Sequence, residues 1–189
     1  MLDDILLRIA KVAIISKFKD YSFDKEKILL EYPYLDKNGA VFVTLNQNEN
    51  LRGCVGSLQE HRKLFDDIVN NALLAGFHDS RFNPLSEDDL ESLTLEVSLL
   101  SPSKKLEYNN FDDLKKKVIP FEDGLILKYK QHSGTFLPQV WEQLTTPELF
   151  LNHLAQKAGL KPDIYDFNPE IYRYKVEKIS KRFDEILPL

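Results

Sequence analysis

The chain has 189 residues, a formal net charge of −5, 43% hydrophobic and 29% charged residues, and one cysteine. This is the composition of an ordinary globular chain long enough to bury a core without staples, and a single thiol excludes an internal disulfide, which fits a reducing, cytoplasmic setting. The net negative charge disfavours nucleic-acid binding, since Lys104-Lys105 and Lys115-Lys116-Lys117 are short basic runs among acidic residues and read as a solvated face.

Leu2, Ile5, Leu6, Ile9, Val12 and Ala13 recur at helical spacing and predict an amphipathic helix over 3–18. Charges interrupt its apolar residues and no small-residue cleavage site follows, which predicts neither a signal peptide nor a membrane span. Asp24 is placed to cap a short helix that Pro33 ends. Val41 to Leu45 then changes to strand character, followed by polar residues Asn46 to Asn50 and a second strand from Leu51, a hairpin with a loop of several residues. Alternation along the second strand puts Arg52, Cys54 and Gly56 on one face and Leu51, Gly53, Val55 and Ser57 on the other. Glycines within a strand mark a bulge or a close backbone approach.

Residues 63–77 read as a helix with Leu64, Ile68, Ala72 and Ala75 on one face, and Ser86 as the cap of a short helix over 87–92. Leu95, Val97 and Leu99 form the inward side of a strand, with Glu96 and Ser98 opposite. A helix over 111–118, a strand over 124–130, and a turn Gln131-His132-Ser133-Gly134 leading into Thr135-Phe136-Leu137 follow. Pro147 opens a helix that Gly159 closes. Tyr172, Tyr174 and Val176 then make the apolar face of a final strand. Helices and antiparallel hairpins alternate irregularly, so the fold class is α+β.

The segment LRGCVGSL around Cys54 resembles the AMMECR-one family, and the resemblance continues in family order through GAVFVTL, DSRFNPLS, LEVSLLSP, DGLIL, TFLPQVWEQL, FLNHLAQKAGL and RYKVEKI, nearly the whole chain. The segments TFLPQVWEQL and FLNHLAQKAGL look most like the bacterial branch, the AmmeMemoRadiSam system protein A type. The resemblance implies two lobes with antiparallel sheets flanked by helices, the larger lobe built from both chain ends and the smaller from the middle, with the signature motif facing an interlobe cleft that can hold a small molecule. It also implies a Memo-like protein and a radical SAM enzyme as partners, and it carries no established reaction.

Cys54 has two readings: a nucleophile favoured by the charge of Arg52 on the same strand face, or a small buried hydrophobe among packing glycines. Arg52 and Arg81 can fork onto a carboxylate or phosphate, with Gly53, Gly56 and Gln139 beside them; Arg81 equally fits a structural salt bridge to Asp79. Glu96 on an otherwise apolar strand is a proton acceptor or a partner for Arg52 or Arg81. His132, in a hairpin turn, is the histidine suited to acid–base work, whereas Trp141 reads as core. Cys54-Val55-Gly56-Ser57 matches a Cys-x-x-Ser redox motif but lies in a strand, and the segment lacks a P-loop lysine. No histidine pairing reads as a metal site, one cysteine excludes an iron–sulfur cluster in this chain, and no cofactor is predicted.

Overall fold

A computed structural model describes residues 3–189. The chain divides into two compact units, one formed by the residues up to Leu100 together with Glu177–Leu189, the other by Ser101–Val176. The elements are helices and open antiparallel sheets, an α+β architecture.

The first unit opens with helix α1, Ile5–Ile15. Leu7, Ala10 and Ile14 are buried as well as Ile5, Leu6, Ile9, Val12 and Ala13, so the apolar face of the amphipathic helix α1 is wider than its spacing suggests, and only the stripe of Arg8, Lys11 and Ile15 stays partly exposed. Leu2, assigned to its apolar face, lies outside the described residues. Helix α2, Lys25–Glu31, is capped as predicted, the Asp24 carboxylate accepting from the Lys27 N–H at 3.1 Å.

Strands β1, Asn38–Gln47, and β2, Asn50–Gly56, form the hairpin. Its loop is shorter than the polar run implies. Asn48 and Glu49 both take positive φ, 50° and 66°, the twist a two-residue turn needs, so pairing continues to Gln47 and Asn50. The register also slips: Leu45 pairs with Gly53 but Asn46 pairs with Leu51, which leaves Arg52 as the extra residue of a β-bulge.

A two-residue strand, β3 (Arg62–Lys63), leads into α3, Leu64–Phe77, and then β4, Leu93–Leu100. Leu64, Ile68, Ala72 and Ala75 are buried along α3, and with α1 they cover Val41, Val43, Leu45, Leu95 and Val97 of the sheet. Side chains of even-numbered β1 and β4 residues therefore face away from that core. Where β2 leaves β1 after Gly56, the buried Asp67 carboxylate of α3 accepts from the Val41 N–H at 2.9 Å and from the Ser57 hydroxyl at 2.6 Å, so the freed backbone donor is satisfied.

The second unit carries β5 (Lys104–Lys105), α4 (Phe111–Lys117), β6 (Gly124–Tyr129), β7 (His132–Phe136), α5 (Pro147–Lys157) and β8 (Glu170–Tyr174). Its sheet runs β5-β8-β6-β7. Trp141 is fully buried, stacks on Phe150 with ring centroids 3.8 Å apart, and donates its indole N–H to the Asp123 carbonyl at 2.8 Å, which makes it the core residue the sequence predicts. Gly159, at φ +76°, ends α5 in the left-handed region.

Two readings of this unit need correction. The turn of the second hairpin is Lys130-Gln131, because Lys130 adopts φ +53°; His132 thus belongs to β7 and pairs with Tyr129. The final apolar strand is two strands. Ile171, not Tyr172, fills the core beneath β8, and the chain then passes into β9, Val176–Arg182, which completes the first sheet in the order β2-β1-β4-β9.

Candidate functional site

The register of the first sheet builds a row across adjacent strands. Thr44 of β1 lies opposite Cys54 of β2 on one side and Glu96 of β4 on the other. All three side chains therefore share the face turned away from the α1 and α3 core, and all three residues are half-buried. The Thr44 hydroxyl donates to the Cys54 sulfur at 3.3 Å. Beyond Glu96 the row ends on Lys178 of β9, whose ammonium is 3.8 Å from the Glu96 carboxylate, and Ser98 donates to the same carboxylate at 3.4 Å. Phe42 continues this face, its ring lying over Gly56, where a Cβ would sit 2.2 Å from the ring.

Cys54 is also held from the open edge of the sheet. Its N–H donates to Asp79 at 2.9 Å and its carbonyl accepts from Arg81 at 3.2 Å. Arg81 grips Asp79 in a two-pronged contact, Nε to Oδ1 at 2.9 Å and Nη2 to Oδ2 at 2.7 Å. The pair satisfies the outward donor and acceptor of an edge-strand residue, standing in for a neighbouring strand. Asp79 is only 6% exposed in its side chain. The Arg81 guanidinium first, and the Cys54 N–H second, hold its carboxyl well below the usual carboxylate range.

The bulge re-aims Arg52. Its guanidinium donates to the Asn83 carbonyl at 2.8 Å and lies 3.5 Å from the Asp89 carboxylate. Asp89 accepts from the Ser86 N–H at 2.8 Å, the main reason its carboxyl is shifted down, with Arg52 adding to the shift. Arg52, Ser80, Arg81, Phe82 and Asn83 line a shallow cavity of about 400 Å³.

The structure thus brings together Cys54, Glu96, Arg52, Arg81, Gly53 and Gly56 within the first unit, with several changes of role. Glu96 pairs with Lys178 rather than with either arginine. Arg52 is bound to the loop after α3 instead of supplying charge to the thiol. Gly53 faces α3, where a Cβ would lie 2.1 Å from the Ala75 carbonyl oxygen, so its absence of a side chain lets helix and sheet approach. His132 and Gln139 belong to the second unit. His132 Nδ1 is 3.1 Å from the Ala158 carbonyl, which can only accept, so that nitrogen carries a proton there. Gln139 is exposed in a single 3₁₀ turn, Pro138–Glu142. Thr44, Asp89 and Lys178 were not singled out by sequence reasoning. The alternation of GAVFVTL puts Thr44 on the polar face, but only the register shows what it lies beside.

The pattern of the AMMECR1 family, the AMMECR-one family of the sequence resemblance, matches residues 7–179. A protein of Sulfolobus acidocaldarius is 35% identical over 198 residues, covering 97% of this chain and 85% of its own length. Protein SSO0193 of Saccharolobus solfataricus is 37% identical over 177 residues, covering 90% of this chain and 77% of its own. The crystal structure of the uncharacterized protein PH0010 from Pyrococcus horikoshii superposes with a TM-score of 0.78 at 28% identity, covering 98% of this chain and 96% of that one. The chain belongs to the AMMECR1 family.

Proposed function

We propose that the polar face around Cys54 is the working site of an enzyme or enzyme subunit acting on a small anionic or carbonyl-containing molecule, with Cys54 as its nucleophile. The observation that carries this reading is the 3.3 Å contact from the Thr44 hydroxyl to the Cys54 sulfur, in a row that continues to Glu96. A hydroxyl that donates to sulfur favours the thiolate, the nucleophilic form. In the step proposed, the thiol proton passes by way of water to the Glu96 carboxylate, one strand beyond Thr44, and the sulfur bonds to the carbonyl carbon. The carbonyl π pair moves to oxygen, and the oxyanion takes back one proton, giving a neutral tetrahedral adduct. Arg52, Arg81 and Gly56 complete the proposed substrate contacts in the first unit, and Gly53 supports them from the opposite face by letting α3 approach the strand. His132 is a second candidate for proton transfer and Gln139 for substrate binding.

The second reading is an interaction subunit of the bacterial AmmeMemoRadiSam type that docks a Memo-like protein or a radical SAM enzyme in the cytoplasm. It is supported by the segments TFLPQVWEQL and FLNHLAQKAGL and by the resemblance they carry. No helix among the described residues is long and apolar enough to cross a membrane.

The two readings separate on one measurement. Alkylation of native Cys54 by iodoacetamide at pH 7 is expected to outpace that of a free cysteine derivative and to slow in Glu96→Gln. A thiol inert until the chain is unfolded would remove the nucleophile and leave the docking reading.

A further inference from the structure

Resting on the reading of Arg52 and Arg81 as substrate contacts, the donors still unspent around them narrow the substrate class. Both arginines line the cavity of about 400 Å³ together with Ser80, Phe82 and Asn83, and no carboxylate lines it. Asp79 and Asp89 occupy part of each guanidinium and leave the rest. Arg81 uses Nε and Nη2, on Asp79 and the Cys54 carbonyl, and keeps Nη1 free among the described residues. Arg52 uses Nη1 on the Asn83 carbonyl and Nη2 on the Pro84 carbonyl and Asp89, and keeps Nε free. The Arg52 side chain is only 15% exposed, yet Nε is not sealed off. Among the described residues, the one buried side-chain polar atom without a hydrogen bond is Asp123 Oδ1. The loop adds further donors: the Ser80 hydroxyl, the Asn83 side-chain amide and the backbone N–H groups of both residues have no protein partner among the described residues.

This donor set distinguishes between anions. A planar carboxylate is gripped best by a guanidinium fork, two parallel N–H bonds from one arginine. The Nε and Nη2 fork of Arg81 already holds Asp79, and Arg52 has one free nitrogen. What remains is single donors from two arginines and a loop, which suits a group presenting oxygens in several directions. A tetrahedral phosphate does so, and it carries more negative charge at neutral pH than a carboxylate. Asp79 and Asp89 offset the positive charge at a distance, so binding depends on directed hydrogen bonds at short range. The cavity falls within the usual range for small-ligand sites, about 300–1,000 Å³, and has room for more than a bare ion. We propose that it holds the phosphate group of a small phosphorylated molecule, with Arg52 and Arg81 as charge partners, Ser80 and Asn83 as neutral donors and the Phe82 ring against the organic part.

The test follows the isotope-labelled full chain by NMR while methyl phosphate, inorganic phosphate or acetate is added at pH 7 and constant ionic strength. Saturable shifts of the Arg52 Nε–H, Ser80 and Asn83 signals are expected with methyl phosphate, at a midpoint at least about tenfold lower than with acetate. Arg52→Gln removes the charge but keeps a donor for the Asn83 carbonyl, and its affinity should fall about tenfold. Ser80 is exposed and its hydroxyl is unpaired, so Ser80→Asp and Ser80→Asn preserve the fold while differing by one charge. The first should weaken binding about tenfold and the second leave it nearly unchanged. Equal affinity for acetate, shifts that never saturate, or full affinity in Ser80→Asp overturns the inference. Binding of inorganic phosphate with the ester excluded overturns the assignment to a phosphorylated molecule. Iodoacetamide alkylation of Cys54 is read on the same protein. A reactive thiol without phosphate binding overturns the inference alone, whereas phosphate binding beside an inert thiol upholds the inference and overturns the nucleophile.

Discussion

The Thr44 hydroxyl donates to the Cys54 sulfur at 3.3 Å across two antiparallel strands. The contact arises because the outward N–H and C=O of Cys54 are taken by Asp79 and Arg81, so Cys54 and Thr44 form a pair without mutual backbone hydrogen bonds, and in such pairs the side chains come closest. Replacing Thr44 by Val keeps shape and strand preference but removes the donor. A hydrogen bond to a charged group contributes about 1.5 kcal/mol, and because a hydrogen-bonded thiolate is also the weaker nucleophile, the alkylation rate of Cys54 at pH 7 is expected to fall about threefold in Thr44→Val. Thr44→Ser should restore most of the rate. Equal rates in all three proteins would show that the hydroxyl does not act on the sulfur.

Arg52 provides a contrasting expectation. Its guanidinium holds the loop after α3 through the Asn83 carbonyl at 2.8 Å. Arg52→Ala should cost about 1 kcal/mol of stability and speed amide exchange over residues 79–85, as expected for a lost side-chain tether. Exchange followed by mass spectrometry checks the loop. The rate of Cys54 alkylation should change less than twofold, and a large slowing would restore Arg52 as the residue that activates the thiol.

The Asp79–Arg81 pair predicts a particular pH dependence. Asp79 has a folded value below that of the unfolded chain, where a carboxyl titrates near about 3.9. Its contribution to stability is therefore fully present above about pH 4 and is lost as pH falls through the lower folded value. Urea unfolding of the native protein and of Asp79→Asn should differ most near neutral pH, and the gap should close progressively below about pH 4. A gap that stays constant down to pH 3 would mean that the carboxylate charge contributes nothing to the clamp.

Gly53 and Gly56 should respond differently to alanine. At Gly53 the new Cβ would meet the Ala75 carbonyl oxygen at 2.1 Å, and a helix backbone cannot step aside cheaply. At Gly56 it would meet the Phe42 ring at 2.2 Å, which can turn. Overpacking costs about 1–3 kcal/mol, and Gly53→Ala is expected at or above the upper end. Gly56→Ala should lie lower and be partly rescued by Phe42→Leu, which a double-mutant cycle of thermal unfolding would reveal.

Trp141 is the single tryptophan and lies in the second unit. Its fluorescence should follow unfolding of that unit. Truncating its stacking partner in Phe150→Ala should cost about 3–5 kcal/mol there, the usual range for a buried aromatic. An unchanged fluorescence transition would mean that the aromatic stack does not support the core.

Much of the architecture is written in local residue pattern. The cap at Asp24, the helix from Pro147 to its stop at Gly159 and the apolar face of β4 each depend on residues a few positions apart, whose chemistry selects one backbone state. The α+β class was legible in that pattern as well, and the family resemblance added the expectation of two lobes and drew attention to Cys54. The tertiary structure decided what surrounds that thiol. A one-residue bulge at Arg52 breaks the alternation that would set its guanidinium beside Cys54, and the register across three strands puts Thr44 and Glu96 in the row instead. Neither a bulge nor a register is carried by the residues of one strand; both emerge when strands distant in sequence pair. The partner of Glu96 is Lys178, 82 positions away, which reaches it only because β9 returns to the first sheet after the second unit is complete. Local pattern sets each segment's conformation, whereas long-range pairing sets which side chains meet, and the chemistry of this face depends on the meeting.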